Sequence, residues 1–172
     1  SSGNVELNSL QNQLDSVKKE KESLETRLSQ VSGADGNNKL LTAVIKAANL
    51  YISNDSTGAA EAIADVDVSS LPVEEAKTLY NTISGATMMN AANDLYNRGM
   101  TAYNRADYTT AADLLVRAYK CDKTKADAVF YAAKSYVALN QSDNAKKYYQ
   151  IIADEFKSSG YVTEAQAYVQ SH

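Results

Sequence analysis

Leu7, Leu10, Leu14, Val17, Lys21, Leu24, Leu28 and Val31 alternate at spacings of three and four, and most positions between them are polar. No Gly or Pro interrupts residues 4–30. That period places the eight positions along one side of a helix as a heptad seam. The pattern predicts a continuous helix over residues 4–31, about 40 Å long at the standard rise per residue. Lys21 puts a charge into one layer of the seam, which costs stability and restricts register. The stripe is narrower than that of an ordinary globular helix. It therefore favours self-association through Leu7, Leu10, Leu14, Val17, Leu24, Leu28 and Val31, although the flanks are only partly complementary, since Glu20 and Glu25 would face each other across a parallel homodimer. Folding of this helix back onto the rest of the chain is the alternative. Residues 1–31 are read as a coiled-coil or oligomerisation helix. Ser32-Gly33-Ala34-Asp35-Gly36-Asn37-Asn38 supplies turn formers and no large apolar anchor, so residues 32–38 are read as a linker.

From Lys39 the pattern is helical again. Leu41, Val44, Ile45, Ala48 and Ile52 share a face, Ser53-Asn54-Asp55-Ser56 ends that helix, and a shorter one is expected over residues 57–64. Pro72 opens a helix over residues 73–84, with Glu74 and Glu75 in its first turn, where the helix dipole favours acids. Gly85 is expected to break the chain before a helix over residues 86–105. Further helices are expected over residues 108–121, 125–140, 142–157 and 160–170. The β-branched residues never alternate over a useful length, so no strand is expected. The fold class is all-α.

A spacing then recurs at an offset of 34: Gly99-x2-Ala102-x8-Ala111-x3-Leu115-x2-Ala118 returns as Ala133-x2-Tyr136-x8-Ala145-x3-Tyr149-x2-Ile152. Small residues fall where the two helices of a pair approach closely, and larger ones fill the space beside them. Ala48-x2-Tyr51-x8-Ala60-x3-Ala64 is a degenerate copy that departs from the pattern at Ala64 and at Asp67. Ala48 lies 51 residues before Gly99, one period and a half, which implies a lone interposed helix. The pattern resembles the tetratricopeptide repeat (TPR) in its period and in its small/aromatic slots. It divides residues 39–172 into a degenerate repeat (41–74), a lone helix (75–91), two full repeats (92–125 and 126–159) and a capping helix (160–172). The architecture implied is a coiled-coil helix followed by a TPR-like α–α superhelix.

In that family the first helix of each pair lines a concave groove. Carried over by register, the resemblance assigns Asn93, Tyr96, Met100, Tyr103 and Asn104 to the groove on one helix, and Asp127, Phe130, Lys134 and Val137 on the next. Aromatics with polar edges, together with Met, make the adaptable apolar surface that protein partners use. These residues are expected to face one solvent-accessible concavity. The competing reading is that Tyr96, Tyr103 and Phe130 pack between helices, since Tyr is abundant (12 Tyr, no Trp) and aromatics dominate cores too. The set by which chaperone-binding members clamp a terminal carboxylate is not matched, because Tyr96 and Met100 hold two of its slots.

Composition narrows the function classes. The 17 basic residues are scattered among 21 acidic ones for a net charge of −4, without the concentrated positive field of a nucleic-acid binder. No run approaches the ~18 apolar residues of a membrane span, so no membrane contact is expected from this segment. Ser1-Ser2-Gly3 opens the chain without Met, so it is expected to be a processed or trimmed piece, leaving room for an anchor upstream. The one His, His172, is the last residue, and the one Cys, Cys121, closes a helix without a His partner. No metal-ligand spacing or phosphate-binding Gly loop occurs. The acidic group Asp65, Asp67, Glu74 and Glu75 is best explained as a solvated inter-helix segment. No catalytic residue, metal or cofactor is expected.

The short coiled coil, linker and repeat array together resemble bacterial envelope-associated TPR proteins of the periplasmic cell-division coordinator type. Ala102-Tyr103-Asn104-Arg105-Ala106-Asp107-Tyr108-x2-Ala111 and Ile152-Ala153-Asp154-Glu155-Phe156 carry that likeness. It implies a cell-envelope location and a non-enzymatic scaffold that binds a protein or peptide segment in its groove, tethered or oligomerised by its first helix. The alternative is a structural, self-assembling element whose aromatics fill the groove.

Overall fold

The computed structural model describes residues 2–30 and 35–172. Among the described residues the fold is all-helical: α1 (Ser2–Gln30), α2 (Asp35–Ile52), α3 (Ser56–Ile63), a 3-10 turn (Val68–Ser70), α4 (Glu74–Asn104), α5 (Tyr108–Cys121), α6 (Ala126–Ala138), α7 (Ser142–Glu155) and α8 (Val162–Ser171). The chain divides into two compact units, Ser1–Ala91 and Ala92–His172. This division differs from the one expected at residues 32–38. Asp35, Gly36, Asn37 and Asn38 are the first turn of α2, so those turn formers do not make a linker; Val31 and residues 32–34 lie outside the described residues.

In the first unit α1 packs on α2. Val17 and Leu24 are 0% exposed and share a core with Leu41, Val44, Ala48, Ile63, Leu79 and Ile83, with Leu28 packed at its edge. Within one chain the stripe is thus engaged with α2, as in the folded-back arrangement, and its centre is not available as an oligomer seam while α1 lies there. Leu7 and Leu10 stay 65% and 60% exposed. Lys21 pairs with Glu25 on its own helix at 3.3 Å.

The helix pairs are stacks of short antiparallel helices closed by the same local chemistry. Asp55 caps α3 by accepting from Gly58 N at 2.8 Å, and Asp107 caps α5 by accepting from Thr110 N at 3.2 Å. Such a cap satisfies a backbone N–H that the first turn otherwise leaves unpaired. Just before these partner helices, Asn54, Ala106 and Asn140 adopt left-handed backbone (φ 65°, 60° and 57°). Asp55 N donates to Leu50 O, Asp107 N to Ala102 O and Gln141 N to Tyr136 O, so the three turns are equivalent.

These turns correct the register of the first pair. Asn54 and Ala106 are 52 residues apart, not 51. The first repeat therefore reads Ala47-x2-Leu50-x8-Ala59-x3-Ile63-x2-Val66. Ala47, Ala59 and Ile63 are fully buried, and Leu50 and Val66 pack against them. The departures expected at Ala64 and Asp67 disappear, because neither residue holds the slot. Asp67 instead starts the 3-10 turn, accepting from Ser69 N at 2.9 Å and from Ser69 Oγ at 2.7 Å.

Gly85 does not break the chain. It lies inside α4, a single helix of 31 residues, since one Gly costs about 1 kcal/mol against Ala and the flanking sequence is helical on both sides. The corrected register explains the length of α4. Its equivalent α6 has 13 residues, so α4 carries 18 more, Glu74–Ala91, or about five turns. That piece gives Ala76, Leu79 and Ile83 to the core of the first unit, while Leu95 and Ala102 belong to the core of the second.

In the second unit the close-contact slots are filled as expected. Ala111 and Ala145 are fully buried, and a Cβ on Gly99 would stand 2.8 Å from the Leu115 side chain. Leu115, Ala118, Val129, Ala133 and Ile152 form the centre of this core.

Candidate functional site

The groove set lies on the last part of α4 and on α6. Asn93, Asn104 and Asp127 are exposed, Tyr96, Met100, Tyr103 and Lys134 are half-buried, and Val137 is 40% exposed. Phe130 departs from the expected exposure: it is 8% exposed and belongs to the core. The cause is Tyr161, whose ring stacks on Phe130 with centroids 4.1 Å apart and planes at 15°. The Tyr161 hydroxyl donates to Asp127 Oδ1 at 2.7 Å.

The remaining side chains are tied together by aromatic edges and by charge. Tyr103 meets Tyr131 edge-on at 5.1 Å and Tyr108 at 5.5 Å. Lys125 Nζ lies 5.2 Å over the Tyr96 ring, and Lys134 Nζ lies 5.3 Å over the Phe130 ring. Lys134 also stands 3.5 Å from Glu164 Oε2, which accepts from the Tyr149 hydroxyl at 2.9 Å.

These contacts raise the phenol pKa values. Tyr161 is pushed up by its hydrogen bond to Asp127, then by burial, then by the Asp127 charge. Tyr149 is pushed up by burial and then by Glu164. Burial raises Tyr96, helped by Asp127, and raises Tyr103 against the opposing effect of Lys134. The phenols are therefore neutral donors at physiological pH. The surface they make offers apolar rings, hydrogen-bonding edges and one paired cation.

Lys125, Tyr131, Tyr161 and Glu164 were not in the expected set. Tyr161 and Glu164 had a readable signal, since each lies one period after an expected groove residue, Asp127 and Phe130. Tyr161 and Glu164, at the start of α8, thus stand one period beyond Asp127 and Phe130 on α6. Tyr131 had none; the slot one period before it is Asn97. His172 stacks on Tyr168 with centroids 3.9 Å apart. Cys121 is half-buried and packs against the core of this unit.

Comparison with protein-family models, with curated proteins and with solved structures found no match. Among the described residues, no helix is long and apolar enough to cross a membrane.

The first unit has an equivalent groove row. The 52-residue register maps Asn93, Tyr96, Met100, Tyr103 and Asn104 onto Leu41, Val44, Ala48, Tyr51 and Ile52. Leu41, Val44 and Ala48 are buried. The Tyr51 hydroxyl reaches Gln13 Oε1 of α1 at 3.4 Å, and Tyr51 and Ile52 line a recess with Leu7, Leu10 and Leu14. Helix α1 therefore lies along the groove face of α2.

It does not lie where a preceding second helix would pack. On α6, which follows α5 and packs on it, that flank is Ala128, Ala132 and Ser135, all fully buried. On α2 the same flank is Thr42, Lys46 and Asn49, and on α4 it is Asp94, Arg98 and Thr101; all six are exposed.

Proposed function

We propose that the chain is a non-enzymatic protein-interaction scaffold of the tetratricopeptide type, whose second unit holds a segment of a partner protein across Tyr96, Met100, Tyr103 and Val137. The observation that carries this reading is the row itself. Four apolar or aromatic side chains on two neighbouring first helices stay partly exposed, while polar Asn93, Asn104 and Asp127 stand beside them. A rigid aromatic set with a polar rim is how such surfaces anchor a partner.

The test is selection of binders from a displayed peptide library on the immobilised chain. Sequences enriched by the wild type should bind Tyr96→Ala and Tyr103→Ala at least about tenfold more weakly, as loss of a binding anchor implies, with melting temperatures close to wild type. Binders that ignore both variants would sink the groove reading.

A second reading is favoured by Phe130. Its burial under Tyr161 and the pairing of Lys134 with Glu164 support a structural element whose groove is filled by its own α8. Failure to select any groove-dependent peptide, together with a large loss of stability in Tyr103→Ala, would make this the better account.

Self-association through α1 is a separable part of the proposal. With Val17 and Leu24 buried in their own chain, it rests on Leu7, Leu10 and Leu14. Leu7→Asp with Leu10→Asp should then lower the mass seen by light scattering to that of a monomer without changing the melting point. A wild-type chain that is already monomeric at high concentration removes this part.

A further inference from the structure

We propose that the groove face of α2 in the first unit is a binding site for an amphipathic helix of another protein, and that α1 is its displaceable resident. The helix that fits has the three-and-four apolar spacing of α1, an apolar residue in the Lys21 layer and no carboxylate at the Glu20 position.

The chemistry of the site is read from its resident. Leu41, Val44 and Ala48 form a buried floor against which Val17 and Leu24 lie, and Tyr51 and Ile52 continue it toward Leu14. Apolar knobs at helical spacing on such a floor are a helix-in-groove contact.

Helix α1 fills the site imperfectly, and its faults lie at the centre of the contact. Lys21 occupies a core layer, and its side chain, 25% exposed, bridges Glu25 of its own helix. Beside it, Glu20 Oε2 is buried without a hydrogen-bond partner. That oxygen is unpaired while the rest of the half-buried Glu20 side chain borders open space, so the carboxylate contributes no contact that holds α1 in place. Around the same segment the packing is open. A recess of about 520 Å³ runs from Val5 to Glu20 against Thr82. Another of about 270 Å³ lies between Glu20 and Ser23 and the Glu74–Thr78 turn. The stripe also outruns its partner helix, leaving Leu7 and Leu10 bare beyond Ile52.

These faults decide the occupant. Any added helix must compete with an α1 that is covalently attached at an effective concentration of order mM, and an identical helix from a second copy carries the same Lys21 and Glu20. It gains nothing by exchange. A foreign helix without the two faults gains at both positions.

The experiment uses the full chain and two labelled synthetic helices of residues 2–30, one with the natural sequence and one carrying Glu20→Ala and Lys21→Leu. Anisotropy should show the substituted helix binding about tenfold or more tighter than the natural one, as relief of a buried unpaired atom and a charged core layer implies. Hydrogen exchange of the α1 amides should rise as it binds, while α5, α6 and α7 stay protected. The same two substitutions placed in the chain's own α1 should raise its melting temperature and suppress binding of the added helix. Equal affinities, binding without release of α1, undiminished binding to the substituted chain, or no binding of either helix would each overturn the proposal. Conversion of the wild-type chain into an α1-exchanged dimer would overturn it too, making a second copy the occupant.

Discussion

Tyr161 and Asp127 stand one repeat period apart in the chain and are joined by a hydrogen bond of 2.7 Å. The contact closes the row of first helices, because the same tyrosine lays its ring on Phe130. Phe130→Ala should therefore behave as a core truncation, costing about 3–5 kcal/mol. Tyr161→Phe keeps the stack and loses only the bond to a carboxylate, for about 1–2 kcal/mol. Urea denaturation of the two variants checks the order; a Phe130→Ala chain as stable as wild type would mean that the ring is not core.

The close-contact slots make a sharper demand. Ala111→Leu and Ala145→Leu add volume at fully buried positions and should each cost about 1–3 kcal/mol. Gly99→Ala should also destabilise, since its Cβ meets Leu115. Lys147→Ala, on the exposed side of α7, should leave the melting temperature nearly unchanged. Unchanged melting in both leucine variants would remove the register.

Gly85 tests the continuity of α4. It is exposed, and a Cβ there meets nothing within 4 Å. Gly85→Ala should stabilise by about 1 kcal/mol, the usual helix-interior difference. A loss of stability in thermal melts would show that the helix is broken at that point.

Ala106 tests the turns. It holds the left-handed conformation that Asn54 and Asn140 hold in the equivalent turns, but it lacks the side chain that tolerates it. Ala106→Gly should stabilise by about 1 kcal/mol, because it removes a Cβ that is strained in this region, and Ala106→Asn should also stabilise, because its short polar side chain can hydrogen-bond locally there. A thermal shift downward in both would remove the argument.

How far the sequence could be read is clear from these same elements. The all-helical character and the pair spacing of the second unit were legible, because Gly99, Ala111 and Ala145 act through volume, and volume is carried by residue type. The first pair was read one residue out of register. Two pairs of adjacent alanines, Ala47–Ala48 and Ala59–Ala60, fit the small slots in either frame, and the turn at Asn54 decides between them. Gly85 looked like a stop because propensity is local, whereas both halves of α4 are held by tertiary packing. In the candidate groove, Tyr96, Met100 and Tyr103 share one helix and are half-buried, but the burial of Phe130 depends on Tyr161, a residue on another element.

The buried phenols predict a limit at high pH. Burial, followed by the hydrogen bond to Glu155 and its charge, pushes Tyr119 up to about 12; Tyr149 and Tyr161 are raised as well. An unfolded tyrosine ionises near 10, so folding favours the neutral phenol. The resulting stability is whole below about pH 10 and is lost as pH climbs from there through 12. The denaturation midpoint should fall over that window, and less steeply in Tyr119→Phe. A midpoint flat between pH 9 and about 12 would contradict this linkage.

An array built by laying one helix pair on the next has no inherent stopping point, and an unfinished apolar end invites another molecule to continue it. The exposed flanks of α2 and α4 answer that hazard residue by residue. Where α6 offers Ala128, Ala132 and Ser135 to its predecessor, α2 offers Thr42, Lys46 and Asn49, and α4 offers Asp94, Arg98 and Thr101. Of the latter three, Arg98 and Asp94 form an ion pair at 3.3 Å, and Thr101 Oγ1 donates to Asn97 O at 3.0 Å. Each flank presents polar side chains to water in place of the small ones a stacking helix packs against, which weakens the invitation to continue the array there.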